Sequence, residues 1–239
     1  MKILKCITFI ALIIISASQL FAQKLYPENL PNFDKRLFHF GFSLGVNSTD
    51  FTIRRKANLF QFDSLMVLES QRQAGFNLAI VSDLHLGPYF NLRFVPALSF
   101  AQRNLEYTFN RGDTASVLRV KPIESTFVEF PLHLKYRSAR LNNFAAYVFG
   151  GGNFLIDLAS QKDVSNQISN DIVVKLRKYD YRYEMGFGFD FFLQYFKFSP
   201  EFKMSFGIPD ILVRDGTVYS EPIQRLRSRV FLFSINFEG

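Results

Sequence analysis

The sequence is poor in cysteine, histidine and long apolar runs, and each shortage removes a class of function. Its one cysteine, Cys6, stands just before an apolar run, Ile7 to Ile15, that follows Lys2 and Lys5 and precedes Ser16, Ala17, Ser18 and Ala22. A charged start, a short apolar core and small residues at the break describe a secretory signal peptide over residues 1–22. Leu20 sits where a small residue is preferred, but cleavage after Ala22 is still expected. Cys6 lies inside that signal rather than at its end, so it is not placed for lipid attachment. The exported chain then carries no cysteine, which excludes disulfides, thiol catalysis and cysteine metal sites. No later segment offers the ~20 consecutive apolar residues of a membrane-spanning helix. Phosphate loops, dinucleotide fingerprints and nucleophile elbows are missing too. Lys2 and Lys5 leave with the signal, so the 28 basic residues fall to 26 against 21 acidic ones. In an exported protein that modest excess favours anionic lipid headgroups and argues against nucleic acid.

What is abundant is phenylalanine, 30 of 239 residues, and it is arranged with a period of two. From Tyr179 to Phe191 every second residue is Tyr, Met or Phe, while Asp180, Arg182, Glu184, Gly186, Gly188 and Asp190 lie between them. Phe196 to Ile208 repeats the pattern against Lys197, Ser199, Glu201, Lys203, Ser205 and Gly207. Side chains alternate between the faces of a strand, so this is a hairpin with one strongly apolar face. Matching Asp190 to Lys197 and Glu184 to Lys203 predicts a turn at Leu193-Gln194. The same alternation marks strands from Phe38, Phe76, Phe90, Val128 and Phe231. A further strand over Phe144 to Leu158 has its phase erased by Gly150-Gly151-Gly152. Pro96 is awkward in the third strand, and the alternation there slips near Leu105 and Tyr107, which predicts a bulge. The eight strands are joined by connections that alternate long and short, the rhythm of external loops and periplasmic turns.

A soluble barrel would share the period with its apolar face inward. Volume decides against it, because an eight-stranded interior is just wide enough to be filled by side chains and cannot hold so many aromatic rings. The expected fold is therefore all-β: an eight-stranded antiparallel transmembrane β-barrel of outer-membrane type, its lumen filled by side chains. Residues 23–36 form a periplasmic lead-in and residues 37–239 the barrel.

Inward parity falls on Asp83, Arg93, Glu129, Lys135, Asp180, Arg182, Glu184, Asp190, Lys197, Glu201 and Lys203. Their signs nearly balance. Paired carboxylates can do acid–base work, but a closed lumen points to a neutralising network, since an unpaired buried charge is costly. No catalytic residue is assigned. His39, His85 and His133 share inward parity near the periplasmic rim. Three imidazoles could hold zinc, yet they are read as lumen filler, with no metal and no other cofactor. Arg54-Arg55-Lys56, in the first external loop, could hold lipid phosphates or be a solvated loop face. Leu30, Pro31 and Phe33 of the lead-in are the candidate partner contacts.

The segments NLPNFDKR (29–36), HFGFSLGVNSTDF (39–51), GFNLAIVSDLHLGPYFNLRFVPALSFAQRNLEY (75–107), ESTFVEFPLHLKYRS (124–138), YEMGFGFDFFLQYFKFSPEFKMSFGI (183–208) and SRVFLFSINFEG (228–239) resemble the PorT family of Bacteroidetes outer-membrane barrels. That family belongs to the type IX secretion and gliding machinery. The resemblance implies a non-enzymatic subunit needed to export proteins bearing a C-terminal secretion signal. Its partners would be outer-membrane lipid and other secretion-machinery proteins, with no nucleic acid and no small-molecule substrate. Gly239 departs from the terminal aromatic common in such barrels; Phe237 can serve in its place. The competing readings are a small barrel with a lipid-modifying role, or one with a structural or adhesive role.

Overall fold

Strict alternation of large apolar with small or polar residues drives nearly every segment after Leu37 into extended strands. A computed structural model describes residues 27–111, 116–160 and 172–239; the expected signal peptide and residues 23–26 lie outside them. The strands are β1 (Phe38–Arg55), β2 (Leu65–His85), β3 (Phe90–Phe94), β4 (Ala97–Asn110), β5 (Ser116–Arg137), β6 (Phe144–Asp157), β7 (Tyr179–Phe192), β8 (Lys197–Gly207) and β9 (Ile223–Glu238). They form one antiparallel sheet that closes on itself, because β1 pairs with both β2 and β9. Closure leaves no edge to face hydrocarbon.

Nine strands make eight staves. Strands β3 and β4 are two halves of one stave, both pairing with β2 and β5. The break falls at Val95-Pro96, where proline has no N–H to give the ladder. The gap is bridged by the Ile80 N–H donating to the Pro96 carbonyl at 3.0 Å and the Val95 N–H donating to the Pro131 carbonyl at 3.3 Å.

Two expectations about register need correction. The first is the bulge at Leu105 and Tyr107. Strands β4 and β5 keep an unbroken register from Ala97↔Glu129 to Asn110↔Ser116, and the irregularities lie in β2, between Leu65 and Val67 and between Arg72 and Phe76. What changes near Leu105 is the surroundings. Across the membrane section the apolar face points out, with Phe40 61% and Val46 61% exposed. Beyond it the strands run on and the polarity inverts. Phe51, Leu105, Tyr107, Phe109 and Ile123 point inward and pack with Leu65, Leu68, Val174, Leu176, Ile211, Leu212, Ile223 and Leu226. Below is a membrane barrel; above is a soluble one, a dome with its own apolar core. Strands β2 and β5, with 21 and 22 residues, serve both, since crossing alone takes only ~9–11.

The second correction concerns the β7–β8 hairpin. Observed pairs are Glu184↔Ser205, Gly186↔Lys203, Gly188↔Glu201 and Phe191↔Phe198, a slide of two from the charge-matched register. The loop is Leu193 to Phe196, closed by the Leu193 N–H on the Phe196 carbonyl at 3.0 Å. Lys203 still reaches Glu184, at 3.0 Å, across the diagonal. Long side chains satisfy the pairing one step off, so charge matching does not determine the register here.

Candidate functional site

Buried charged groups gather in the lumen, and it is blocked at three levels. At the mouth on the side of the short turns, the side that faces the periplasm in such barrels, the lead-in folds back beneath the barrel. A short 3-10 turn, Phe33–Lys35, is set up by Leu30 at φ 49°, a left-handed conformation unusual for leucine, and the Phe33 N–H donates to the Leu30 carbonyl at 3.0 Å. This aims Phe33 into the mouth. Its ring stacks on His39 at 3.8 Å, meets Phe192 edge-on at 5.7 Å and sits under the Lys197 ammonium at 4.8 Å. Asp34 pairs with Arg137 at 2.7 Å. The Asn29 N–H donates to Asn143 Oδ1 at 2.8 Å, and Arg140 donates to the Asn29 carbonyl. The lead-in is thus a seated plug. Of the three expected partner contacts, Pro31 is exposed, Leu30 half-buried and Phe33 only 5% exposed. Phe33 does not face a partner, because its ring is enclosed by His39, Phe192 and Lys197.

The second level is the charged network. All eleven inward charges of the sequence reading lie inside. Arg93 pairs with Glu201 at 2.7 Å, with Asp83 at 3.5 Å and with Glu238 at 3.7 Å. Lys197 pairs with Glu238 at 2.8 Å, and Lys135 with Asp190 at 3.0 Å. Higher up, Glu184 receives Lys203 at 3.0 Å and His133 at 2.7 Å, while Asn153 bridges it to Glu129. Arg182 pairs with Asp180 at 2.8 Å. Two aromatic rings cross this network from β6. Tyr147 donates to Glu201 at 2.9 Å and lies beneath the Lys135 ammonium at 3.6 Å. Phe149 packs beside His133. The rings fit because β7 offers Gly186 and Gly188 opposite them; an added Cβ would meet Phe149 Cζ or Tyr147 Oη at 2.4 Å.

The sequence reading missed Tyr147, Phe149, Glu238, Arg137 and the deeply buried Arg103. Three glycines hid the parity of β6, and aromatic residues pointing inward break the apolar-out rule. Glu238 and Arg137 do carry inward parity and were recoverable. The histidines separate: His39 and His85 are neighbours with ring centroids 6.4 Å apart, and His133 is engaged by Glu184. Among the described residues no cluster of three His, Cys, Asp or Glu has metal-ligand geometry.

The third level is the dome. Asp210 organises its β8–β9 loop by accepting the Leu226 N–H at 3.0 Å, the Leu212 N–H at 3.3 Å and Arg214 at 2.6 Å. Burial opposes its ionisation, but these donors outweigh that and hold its carboxyl below the usual range. A depressed native pKa gives stability that is present above the unfolded value of ~3.9 and lost as pH falls through the native one. Acidification from pH 6 to 3 is therefore expected to loosen the loop, read as a rise in binding of an apolar fluorescent dye. Asp210→Asn should already be loosened at pH 6 and show a weaker acid response. An acid response unchanged in that variant would contradict the assignment.

Plug release is separately testable. Phe33→Ala is expected to raise hydrogen exchange of residues 29–36 at least about tenfold, because the seat loses its aromatic contacts. The dome strands should exchange as before. Unchanged protection of residues 29–36 would show that the polar ties alone hold the plug.

A closed antiparallel barrel, apolar toward lipid and polar within, is an outer-membrane barrel, and its place is the outer membrane. The chain belongs to the outer membrane protein beta-barrel domain family, whose model matches residues 21–213. Among solved structures it is similar to the outer membrane protein OprG of Pseudomonas aeruginosa, with 12% identity and a TM-score of 0.45 over 84% of this chain and 92% of that one. It is also similar to Ail, the attachment invasion locus protein of Yersinia pestis, at 12% identity and TM-score 0.38 over 85% of this chain and 100% of that one. Neisserial surface protein A matches at 8% identity and TM-score 0.38 over 82% of this chain and 95% of that one. No curated protein matches the sequence.

Proposed function

We propose that this barrel is a non-enzymatic outer-membrane subunit of the type IX secretion machinery that works through its surfaces and not through its lumen. The machinery is suggested by the resemblance of residues 29–51, 75–107, 124–138, 183–208 and 228–239 to the PorT family. The mode of action rests on one observation, the triple closure by Phe33, the charged network and the dome core. A lumen so filled leaves no route for a polypeptide, so a secreted substrate travels elsewhere. The surfaces left for partners are the periplasmic turns with the seated lead-in, the dome and the lipid-facing wall. Asp83, Asp180, Glu184, Asp190, Glu201 and Glu238 are each paired with a basic side chain, which supports the non-enzymatic reading.

Deleting the gene and comparing the secreted proteins tests this. Proteins bearing a C-terminal secretion signal should accumulate inside the cell while other exported proteins are unaffected. Normal secretion in the deletion strain would remove the secretion role, whereas restored secretion by a barrel lacking residues 23–36 would remove only the plug as a contact surface.

A further inference from the structure

The outward face of β9 changes character in a single step. Phe237, Ile235, Phe233 and Phe231 are followed by Arg229, Arg227 and Arg225. These residues share one parity, so the arginines continue the lipid-facing column upward from Phe231. Neighbouring strands add to them. Arg54 of β1 lies directly opposite Arg225 in the ladder, and both are exposed. Like charges opposite each other on a sheet are destabilising, and no carboxylate among the described residues pairs with Arg54, Arg225 or Arg227. The Nε of Arg227 is buried without a hydrogen-bond partner. Asp50 is the sole acid in this column. It already receives Arg229 at 2.5 Å and Arg72 at 3.3 Å, and both guanidinium groups lie near the Phe231 ring, at 5.9 and 5.5 Å.

Heights along the strand say what such a column meets. With a rise of ~3.4 Å per residue and a tilt of ~40°, Arg229 stands ~5 Å above Phe231, Arg227 ~10 Å and Arg225 ~15 Å. The headgroup layer of an ordinary bilayer is only ~5–8 Å deep on each side. Arg229 thus lies at the level of lipid phosphates, while Arg225 and Arg54 stand above it. A phospholipid with one phosphate would leave the upper arginines unmatched. Guanidinium groups bind phosphate through two parallel N–H···O bonds, and a column ~10 Å tall calls for phosphate at more than one height.

We infer that the Arg229–Arg227–Arg225 column with Arg54 is a binding site for a phosphorylated glycolipid of the outer leaflet, one whose saccharide headgroup carries phosphate above the membrane surface. The inference rests on the barrel's place in the membrane and is independent of the secretion role.

The test uses the full barrel in detergent and measures binding of core-bearing lipopolysaccharide, of the same lipid stripped of phosphate, and of phosphatidylglycerol. Binding of the phosphorylated glycolipid is expected to be at least about tenfold tighter than that of the other two, and to weaken with salt. The triple variant R54Q/R225Q/R227Q should lose about tenfold or more, since several charge-assisted bonds go together. Folding of that variant is checked by heat-dependent gel mobility. Should it fail to fold, the single variant R225Q, altering an exposed residue without an ion-pair partner, is expected to fold and bind severalfold more weakly. Three results would overturn the site: unchanged binding by a folded variant, equal binding of phosphatidylglycerol, or equal binding of soluble inositol hexakisphosphate.

Discussion

Asp190→Ala is expected to destabilise the barrel by about 3–5 kcal/mol, the usual cost of removing one partner from a buried ion pair. Asp190 is fully buried and accepts Lys135 at 3.0 and 3.3 Å and the Ser199 hydroxyl at 2.6 Å, with Lys197 at 4.0 Å. Its loss takes from Lys135, which is equally buried, the one carboxylate that it hydrogen-bonds, and leaves its ammonium over the Tyr147 ring. Urea unfolding in lipid vesicles measures the effect, and a loss below ~1 kcal/mol would show that the lumen charges are not coupled as the distances imply. Two controls sharpen the result. Lys135→Met combined with Asp190→Leu should recover most of the loss, because an apolar pair of similar volume carries no desolvation penalty. Lys56→Ala should cost less than ~1 kcal/mol, although its 2.8 Å bridge to Glu221 is shorter, because those side chains are 38% and 41% exposed.

Gly188→Ala is expected to cost about 1–3 kcal/mol, the range for overpacking a filled interior. A Cβ at this position would stand 2.4 Å from Tyr147 Oη, 2.5 Å from Tyr147 Cζ and 2.8 Å from the Pro200 carbonyl oxygen. The ring has nowhere to go, since Tyr147 is held by Glu201 on one side and Lys135 on the other. Tyr147→Leu removes the obstructing end of the ring and is itself destabilising. The two changes should therefore be non-additive, the double variant being more stable than the sum of the single losses predicts. Simple additivity in the same unfolding assay would mean that the Pro200 carbonyl, and not Tyr147, reserves the glycine.

Parity was legible in the sequence wherever a strand carried ordinary side chains. The face of Phe38, Phe40 and Phe42, and that of Tyr179, Tyr181 and Tyr183, is exposed toward lipid, and the charges between the tyrosines are inside. It failed where the physics changed along one strand. Leu105 and Tyr107 keep the parity of Ser99 and Arg103, but they sit above the membrane, where inward and apolar coincide. A rule that equates apolar with outward therefore reads a bulge that is not there. Gly150-Gly151-Gly152 has no side chains to display parity, and so the inward turn of Tyr147 and Phe149 was hidden. Their room comes from Gly186 and Gly188, two strand positions whose meaning lies on a neighbour. Hairpin register was beyond charge matching, because Glu184 and Lys203 meet across a diagonal as well as they would face to face. The plug was hardest to foresee: nothing local in NLPNFDKR says that Phe33 turns inward, since its seat is assembled from His39, Phe192 and Lys197 of three separate strands.

The sharing of lumen charges among distant staves sets an order for assembly. Glu238 reaches the lumen from β9 and is the carboxylate closest to Lys197 of β8; it also faces Arg93 of β3. Glu201 of β8 is the nearest acid to that same arginine. Until β8 and β9 have joined the growing sheet, Arg93 has only Asp83, at 3.5 Å, and a half-built barrel would hold an under-paired charge against hydrocarbon. An open intermediate of this chain is therefore a poor guest in lipid. The staves must be gathered where water or another protein screens them, and released into the bilayer as a closed ring.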